Sequence, residues 1–526
     1  MSRKIYLKIL LGVVAFIALV KISSIVFVEP WIGKKIQASL NEKNQDFTVE
    51  IDKVHLLMLS RGIELERITL RPKQESGGSL TGEIASLKFK GIKLVKAFFK
   101  KEVEIRAVII SNSSIRGKIP FSQKAVPSIV SPLTIRIASI FFDKINLAIQ
   151  DSSTAQVYSL KESDLKVYDL QVKKNDTLTA VILQQFDFDA EEFFSISSDS
   201  MYMVKASGIV YSAALNTLTL ANLSVQPNYT NYDFTSRYKF QTDRIEVFLS
   251  DIHAQNISAA DYLKFKNIAS SFIEIGKMEV HVFRDKRKEF KHVNKPAFQE
   301  MIYSYPATIR IDSVGVVNGN VTYTEHAEDA NEPGSIHFDE IHAKVYKITN
   351  DTIYKTENAF LELKGEALLM GKGKMTTALK AQLFDTRNKF SLSGTLAGME
   401  AKALNPMLEK NAYVYATSGT IDAMDFSITA NNARATGNMH MRYHGLDLAI
   451  KSKKTDDTTA IKERFISFIA NRKVMDANPL PGEEVREGVI EYERDPEKFL
   501  FNYCFKAILS GIKSSIEKSP KEKRSS

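Results

Sequence analysis

Apolar and polar residues alternate with a period of two over most of the chain. Residues 437–444 place Met439, Met441 and Tyr443 on one face and polar side chains on the other, and residues 446–450 continue the pattern. Because successive side chains of a strand point to opposite faces, such stretches predict strands with one apolar face. The same alternation occurs at residues 245–249, 278–282 and 218–225.

Turn signals separate the predicted strands, so most neighbours are expected to be antiparallel. Asn318-Gly319 lies between two apolar stretches, and this pair favours the positive φ angles of a tight hairpin. Few stretches of the sequence predict helices that could cover the apolar faces of these strands. The best candidates are residues 31–40, 406–409, 461–475 and 499–517. The sequence therefore predicts a mainly β protein with a few helices.

Part of the chain is repeated. Residues 132–139 match residues 306–313 at six of eight positions. A second pair of matching segments follows the two copies, at 166–168 and 344–346, and a third pair lies further on, at 175–177 and 350–352. The shared order indicates that a strand-rich module of about 170 residues was duplicated, as in arrays that grow by adding units.

One apolar span occupies residues 5–28 and is long enough to cross a bilayer as a helix. Lys21 interrupts it near one end, where its side chain can reach the interface. Arg3, Lys4 and Lys8 precede the span, which predicts a cytoplasmic N-terminus and export of the remainder. A cleaved signal peptide is the alternative. Because no small-residue cleavage site follows and Glu29-Pro30-Trp31 resembles a helix stop, we predict a retained anchor.

Composition narrows the class of protein. Cys504 is the single cysteine, so no intramolecular disulfide stabilises the exported chain. The net charge of +9 is spread along the chain and concentrates only after Lys513, which disfavours nucleic-acid binding. Gly371-Lys372-Gly373-Lys374 lacks phosphate-loop spacing, and neither His-Glu-x-x-His nor Gly-x-Ser-x-Gly occurs. The sequence predicts no catalytic, cofactor-binding or metal-binding residue.

Three stretches carry a family resemblance. Residues 47–54 and 60–70, after a membrane span, resemble the N-terminal module of AsmA-like envelope proteins. Residues 392–396, 404–408 and 418–422 resemble the C-terminal AsmA pattern of a Gly-containing strand, an Asn-Pro helix start and a Ser-Gly strand. Residues 494–513 are similar to the tail of short AsmA-like proteins of two-membrane bacteria, except that Phe505 stands where Trp is expected.

The resemblance implies a single-pass inner-membrane protein whose bulk lies in the periplasm. Its fold would be an elongated, curled antiparallel sheet that forms an apolar groove. Such a protein would belong to the repeating β-groove lipid-transfer group. The expected modules are the N-terminus and anchor at 1–30, an N-terminal β module at 31–125, two repeats at 126–300 and 301–460, and C-terminal helices with a basic tail at 461–526. The candidate groove-lining residues are Phe47, Val49, Ile51, Ile245, Val247, Leu249, Met278, Val280, Val282, Ile309, Ile311, Met439, Met441 and Tyr443.

Acyl chains are the expected occupants, because the legible helices are too few to cover so much apolar strand surface. A closed sandwich, whose two apolar faces cover each other, is the alternative fold. The C-terminal helix either caps the end of the sheet or contacts a membrane or an outer-membrane or periplasmic partner. Its candidate residues are Phe499, Leu500, Tyr503, Ala507, Ile508, Ile512 and Ile516.

The favoured function is lipid binding and transfer of phospholipid or glycolipid between two membranes. The alternative is a structural or assembly factor for outer-membrane biogenesis that carries no lipid. An enzyme on a β scaffold is disfavoured because no polar catalytic pocket is legible.

Overall fold

The computed structural model describes residues 21–43, 47–73, 79–93, 102–119, 134–174, 179–182, 185–356, 359–450 and 474–518. The predicted membrane span falls mostly on residues 1–20, outside the described residues, as does most of the helix predicted at 461–475. Among the described helices, none is both long and apolar enough to cross a bilayer. The protein is mainly β, with strands that are mostly antiparallel and few helices.

Contacts divide the chain into two compact units, Met1–Ala221 and Asn222–Ser526. The finer module boundaries predicted at residues 30, 125, 300 and 460 stay predictions. The first unit begins with one π-helical turn, Ser24–Val28, that continues into helix α1, Glu29–Lys43. Its strands are β1 Phe47–Leu57, β2 Gly62–Pro72, β3 Ser79–Lys90, β4 Glu102–Ile119, β5 Thr134–Asp151, β6 Val157–Lys174, β7 Thr179–Ile182, β8 Gln185–Ile196 and β9 Tyr202–Ser212. Strand β10, Thr217–Pro227, contains the boundary between the units.

The second unit carries most of the helices. Its strands are β11 Asp243–Gln255, β12 Ile268–Ser270, β13 Phe272–Asp285, β14 Ile309–His326, β15 Gly334–Thr349, β16 Phe360–Leu369, β17 Gly373–Gln382, β18 Phe390–Glu400, β19 Val414–Ala430, β20 Arg434–Ile450 and β21 Glu487–Glu493. Its α-helices are α2 Asn231–Ser236, α3 Ala259–Phe265, α4 Phe298–Tyr303, α5 Asn405–Asn411 and α6 Leu500–Ile516, with 3-10 turns at Thr352–Tyr354 and Ala401–Leu404.

Strand pairing follows the predicted antiparallel pattern with a few exceptions. In the first unit β1 to β4 pair in sequence order, β5 pairs with β6, and β6 and β9 both pair with β8, all antiparallel. In the second unit β11 pairs with β13, and β14 to β21 pair in sequence order. The parallel pairs are β4 with β5, β13 with β14, and the short β12 with β14.

The sequence repeat corresponds to a structural repeat. Strands β5 and β14 each have 18 residues, and each pairs in parallel with the preceding long strand and antiparallel with the next one. Both ladders shift register at equivalent residues, around Ile145 in β5 and Gly319 in β14. The two ladders therefore bulge at positions that the sequence repeat aligns, and the repeat of a whole module stays a prediction.

Side-chain hydrogen bonds recur at the repeated positions. Asn146 Oδ1 accepts from the Glu162 amide at 3.1 Å, and Asn320 Oδ1 accepts from the Glu340 amide at 3.2 Å. Both glutamates have positive φ angles, 45° and 51°. A left-handed non-glycine residue is costly, so the asparagine bond supports the bulge in each copy.

Asn318-Gly319 forms no hairpin, so that prediction was wrong. The pair lies inside β14, where the ladder to β15 bulges. The absence of a side chain at Gly319 lets Met278 and Ile341 approach the backbone closely, and Gly319 forms no turn. A Cβ there would lie 2.9 Å from Met278 Cε and 3.2 Å from Ile341 Cβ.

The helix stop predicted at Glu29-Pro30-Trp31 was also wrong, because the helix runs on from Lys21 through α1. A proline inside a helix lacks an amide donor, and its ring crowds the carbonyl four residues earlier. The wide turn at Ser24–Val28 ends two residues before Pro30, and single turns of this kind occur as bulges inside continuous α-helices.

Candidate functional site

Strands β4, β5, β6, β8 and β9 align apolar side chains in rows across one face of the first unit. We call these residues the unit-1 apolar face. Cross-strand pairing defines the rows, which are Ile110, Phe142, Leu165, Phe188 and Tyr211; Ile115, Leu147, Leu160, Phe193 and Ala206; and Val108, Ile140, Val167 and Phe186. Such aligned pairs are the unit of sheet stabilisation, so the face is continuous over five strands.

No helix of the described residues packs against this face. Val108 and Val167 are buried by neighbouring side chains, whereas Phe142, Leu165 and Phe188 are only half-buried. An apolar sheet face requires a cover, and in most domains that cover is a helix layer or a second sheet. Among the described residues, the unit-1 apolar face is therefore a five-stranded stretch of apolar strand surface without a helix layer.

The first three predicted lining residues lie in a different environment. Val49 is buried, and Phe47 and Ile51 are half-buried in a cluster with Ile32 and Ile36 of α1. The helix packs on β1, so these residues lie in a core between the helix and the sheet. The prediction of an open lining there was wrong, because the sequence does not show that α1 folds back onto β1.

Side chains of α1 also bond the outer edge of β1. Asn41 donates to the Val49 carbonyl at 2.9 Å and accepts from its amide at 2.6 Å. Gln37 accepts from the Ile51 amide at 3.0 Å. An unpaired strand edge exposes such backbone groups, so α1 caps this edge as well as the apolar face.

Six other predicted lining residues share one face of the second unit. Three cross-strand pairs set this face, Ile245 with Val282, Val247 with Val280, and Leu249 with Met278. Ile245 is 39% exposed and the other five are half-buried, so these six form a partly open face, which we call the unit-2 apolar face. The predicted lining residues Ile309 and Ile311 are also half-buried but lie beside β12, at the other end of β14 from the residues that pair with these positions of β13.

Met439, Met441 and Tyr443 belong to a closed core instead. Their exposed fractions are 0%, 3% and 2%, and they lie in the largest buried cluster, which includes Tyr503 and Ala507 of α6. Their assignment as open lining was wrong. The alternation of β20 is real, but the chain covers this end of the apolar face itself.

Helix α6 packs on β20 and β21, as the end-capping alternative predicted. Leu500, Tyr503, Ala507 and Ile516 are buried, whereas Ile508 and Ile512 are half-buried and Phe499 is exposed. Close approach depends on two glycines. A Cβ at Gly488 would lie 2.1 Å from Ser515 Oγ, and one at Gly511 would lie 2.6 Å from Ile490 Cγ1.

The same helix caps the free edge of β21. Ser514 Oγ accepts from the Val489 amide at 3.0 Å, and Ser510 Oγ accepts from the Glu491 amide at 3.2 Å. The serines are four residues apart on α6 and the amides two residues apart on β21, so one helix face matches one strand edge. These bonds satisfy donors that would otherwise be available to another strand.

Charged groups occur on the unit-2 apolar face at one end. Arg284 follows Val282 on the same face of β13 and bonds both carboxylate oxygens of Asp243, at 2.6 and 2.7 Å. Lys286 pairs with Glu325 at 2.7 Å. The Tyr323 hydroxyl donates to Glu325 at 2.7 Å, and desolvation, followed by the charge of Glu325, raises the pKa of this phenol.

The opposite, polar face of the second unit holds an open depression of about 900 Å³. Lys344 and Lys364 lie directly opposite each other on β15 and β16 along its floor. Both lysines are exposed, and Glu274 and Glu366 share the depression. Its charges are mixed and solvated, so it offers no defined chemistry for a reaction.

In the described part of the chain, no three His, Cys, Asp or Glu side chains are placed to hold a metal ion. His440 and His444 each contact a separate aspartate across β19, Asp425 at 3.1 Å and Asp422 at 3.0 Å.

Comparison with models of known protein families finds no match to this chain, and a search of curated proteins finds none either. The sequence analysis named no residue of the unit-1 apolar face as lining. Alternation at Phe186 and Phe188 was the available signal.

Proposed function

We propose that this protein is an AsmA-like, membrane-anchored envelope protein whose apolar sheet faces bind lipid acyl chains and help move phospholipid or glycolipid between the two membranes of a bacterial envelope. The observation that carries the proposal is the unit-1 apolar face, which no described helix covers. Acyl chains are suited to such a face because they are apolar and tolerate varied side chains. Burial of ten methylenes would contribute about 8 kcal/mol.

Membrane anchoring is the second part of the proposal. The helix that leads into α1 carries Ile22, Val26 and Phe27 with exposed fractions of 60%, 54% and 71%. These side chains continue the apolar sequence of residues 9–20, and a hydrocarbon environment would bury them. Since α1 packs on β1, the anchor would be joined directly to the first strand of the sheet.

Photo-crosslinking tests the binding face with a matched control. Benzoylphenylalanine replaces Leu165, on the unit-1 apolar face, or Lys166, the exposed next residue on the opposite face. We expect lipid adducts by mass spectrometry of the membrane-extracted protein at position 165 and none at 166. Equal labelling at both positions, or protein adducts without lipid, would contradict lipid carriage; the latter would favour an assembly factor.

A further inference from the structure

Three loops of the second unit meet at one end of its sheet. The loop after β11 carries α3 and leads into β12, the segment with α4 leads into β14, and the 3-10 turn at 352–354 follows β15. Ile268, at the start of β12, pairs with Ile309, at the start of β14. Thr349, at the end of β15, pairs with Arg310 of β14. Strand pairing therefore places all three loops at the same end.

Hydrogen bonds join the three loops. Between α4 and β14, the Tyr305 hydroxyl donates to the Lys266 carbonyl, directly after α3, at 2.7 Å. Asn350, just before the 3-10 turn, donates from Nδ2 to the Ala307 carbonyl at 2.7 Å and accepts at Oδ1 from the Ile309 amide at 2.8 Å. The side chains that these loops expose are therefore held on one connected surface.

Large apolar side chains are exposed on all three loops. None of the seven residues of α3 is buried, and Leu263 is 54% exposed. On the 3-10 turn, Ile353 is 70% exposed. Exposed apolar residues that are grouped in this way mark an interaction surface, whereas single ones need no explanation. We call six of them the strand-end patch: Tyr262, Leu263, Phe265, Met301, Ile353 and Tyr354.

Lysines accompany the exposed rings of this patch. The Lys264 ammonium lies 4.6 Å from the centre of the Phe265 ring, and the Lys266 ammonium lies 5.2 Å from the centre of the Tyr262 ring. Lys355 directly follows the 3-10 turn and is exposed. Among the described residues, none of these three lysines forms an ion pair. Their ammonium groups are therefore available to an external anion.

The carboxylates of the same loops are placed differently. Glu300 Oε2 accepts from the Ala297 amide at 2.8 Å, and Asp351 Oδ1 accepts from the Ile353 amide at 3.1 Å. Asp261 lies in the first turn of α3, where the helix dipole favours a negative charge. These three carboxylates therefore stabilise their own loops and form no ion pair with the lysines beside the patch.

We propose that the strand-end patch docks on the surface of a bilayer that contains anionic lipid. Aromatic rings are favoured at the level of the headgroups, aliphatic side chains enter the acyl boundary, and lysines attract anionic headgroups. A fluid bilayer adapts to side chains that project from separate loops, whereas a protein partner has to match their shape. The assignment rests on the proposed lipid-carrying function and adds to it a surface that contacts a membrane.

A fluorophore on the patch tests its contact with lipid. In a Cys504→Ala background, Leu263→Cys is labelled with nitrobenzoxadiazole, and Val489→Cys, at an exposed apolar position of β21, is the labelled control. The full-length protein, with its N-terminal span in a nanodisc, is mixed with vesicles of phosphatidylglycerol and phosphatidylcholine that contain a spin-labelled lipid. We expect quenching and a blue shift of the fluorescence at position 263 and neither at position 489.

A second arrangement detects docking on the anchoring membrane, with the spin-labelled lipid in the nanodisc instead of the vesicles. Quenching at position 263 in either arrangement, without quenching at position 489, supports the assignment. No quenching at position 263 in both arrangements, or equal quenching at the two positions, would overturn it.

Lysine substitutions test the requirement for anionic lipid. Lys264→Gln combined with Lys355→Gln should reduce the docking equilibrium constant about thirtyfold, since each lysine near an anionic surface contributes about fivefold. Lys277→Gln, at an exposed lysine of β13, should leave docking unchanged. All three side chains are exposed, so these variants should fold as the wild type does. Equal docking of the double variant and the wild type would overturn the anionic surface.

The remaining outcomes separate this assignment from other partners and from the proposed function. A wild-type dimer in light scattering that Leu263→Asp converts to a monomer would assign the patch to a second copy of the chain and overturn the bilayer. Lipid adducts at position 165 without quenching at position 263 would overturn the docking surface alone. Quenching at position 263 without adducts at position 165 would overturn lipid carriage and leave the docking surface in place.

Discussion

Replacement of Tyr503 by alanine should release α6 from the last strands of the sheet. Tyr503 is 1% exposed, its ring lies edge-on to Phe390 with centroids 6.1 Å apart, and its hydroxyl donates to the Asn431 carbonyl at 3.2 Å. Truncation of a buried aromatic side chain costs about 3–5 kcal/mol. Phe501 is on the same helix and 62% exposed, so Phe501→Ala should cost less than about 0.5 kcal/mol.

Cys504 supplies the assay, because it is the single cysteine and follows Tyr503 in α6. The Cys504 thiol is half-buried, so opening of the helix accelerates its labelling, and labelling through the open form reports the change in opening free energy. A loss of 3–5 kcal/mol predicts labelling faster by about a hundredfold to a few thousandfold, at about 1.4 kcal/mol per tenfold. Phe501→Ala should label at nearly the wild-type rate.

If Tyr503→Ala and Phe501→Ala label Cys504 at equal rates, with far-ultraviolet circular dichroism unchanged, α6 does not depend on Tyr503 for its place on the sheet. The account of a closed core at β20 and β21 would then be wrong.

Three further predictions concern α1, β14 and Cys504. Asn41→Ala should lower the free energy of unfolding by about 1–3 kcal/mol, because it leaves the Val49 amide and carbonyl without partners, and it should accelerate hydrogen exchange at Val49. Glu42→Ala, at an exposed position of α1, should change neither quantity. Gly319→Val should lower the free energy of unfolding, measured in urea, by about 1–3 kcal/mol, because the added side chain overpacks the bulge of β14. An unchanged midpoint of urea unfolding would contradict this prediction. Burial raises the pKa of Cys504 from 9.0 to about 12, so the stability that its neutral thiol contributes is complete below pH 9 and is lost as the pH rises towards 12. The wild type should therefore lose free energy of unfolding over that pH window relative to Cys504→Ala. Parallel plots of the free energy of unfolding against pH for the two proteins would refute the raised pKa.

Sequence pattern was sufficient for the local elements. Alternation located β11, β13 and β20, and the spacing of apolar residues located α1 and α6, because these signals depend on a few neighbouring positions. The short helices α2, α3 and α4 were missed, since six or seven residues carry little periodic signal.

The cover of each apolar face could not be derived in the same way. Val49 and Met439 have the alternation expected of an open lining, yet α1 and α6 bury them. Alternation states that a face is apolar and says nothing about what packs on it, because that depends on long-range folding.

The capped edges at β1 and β21 have a consequence for how this architecture changes in length. Each cap is made by a terminal helix and the strand next to it, through Asn41 and Gln37 at one end and Ser510 and Ser514 at the other. The strands repeated at β5 and β14 lie between these two edges in the sequence, so a further copy of the module inserted there would alter neither cap.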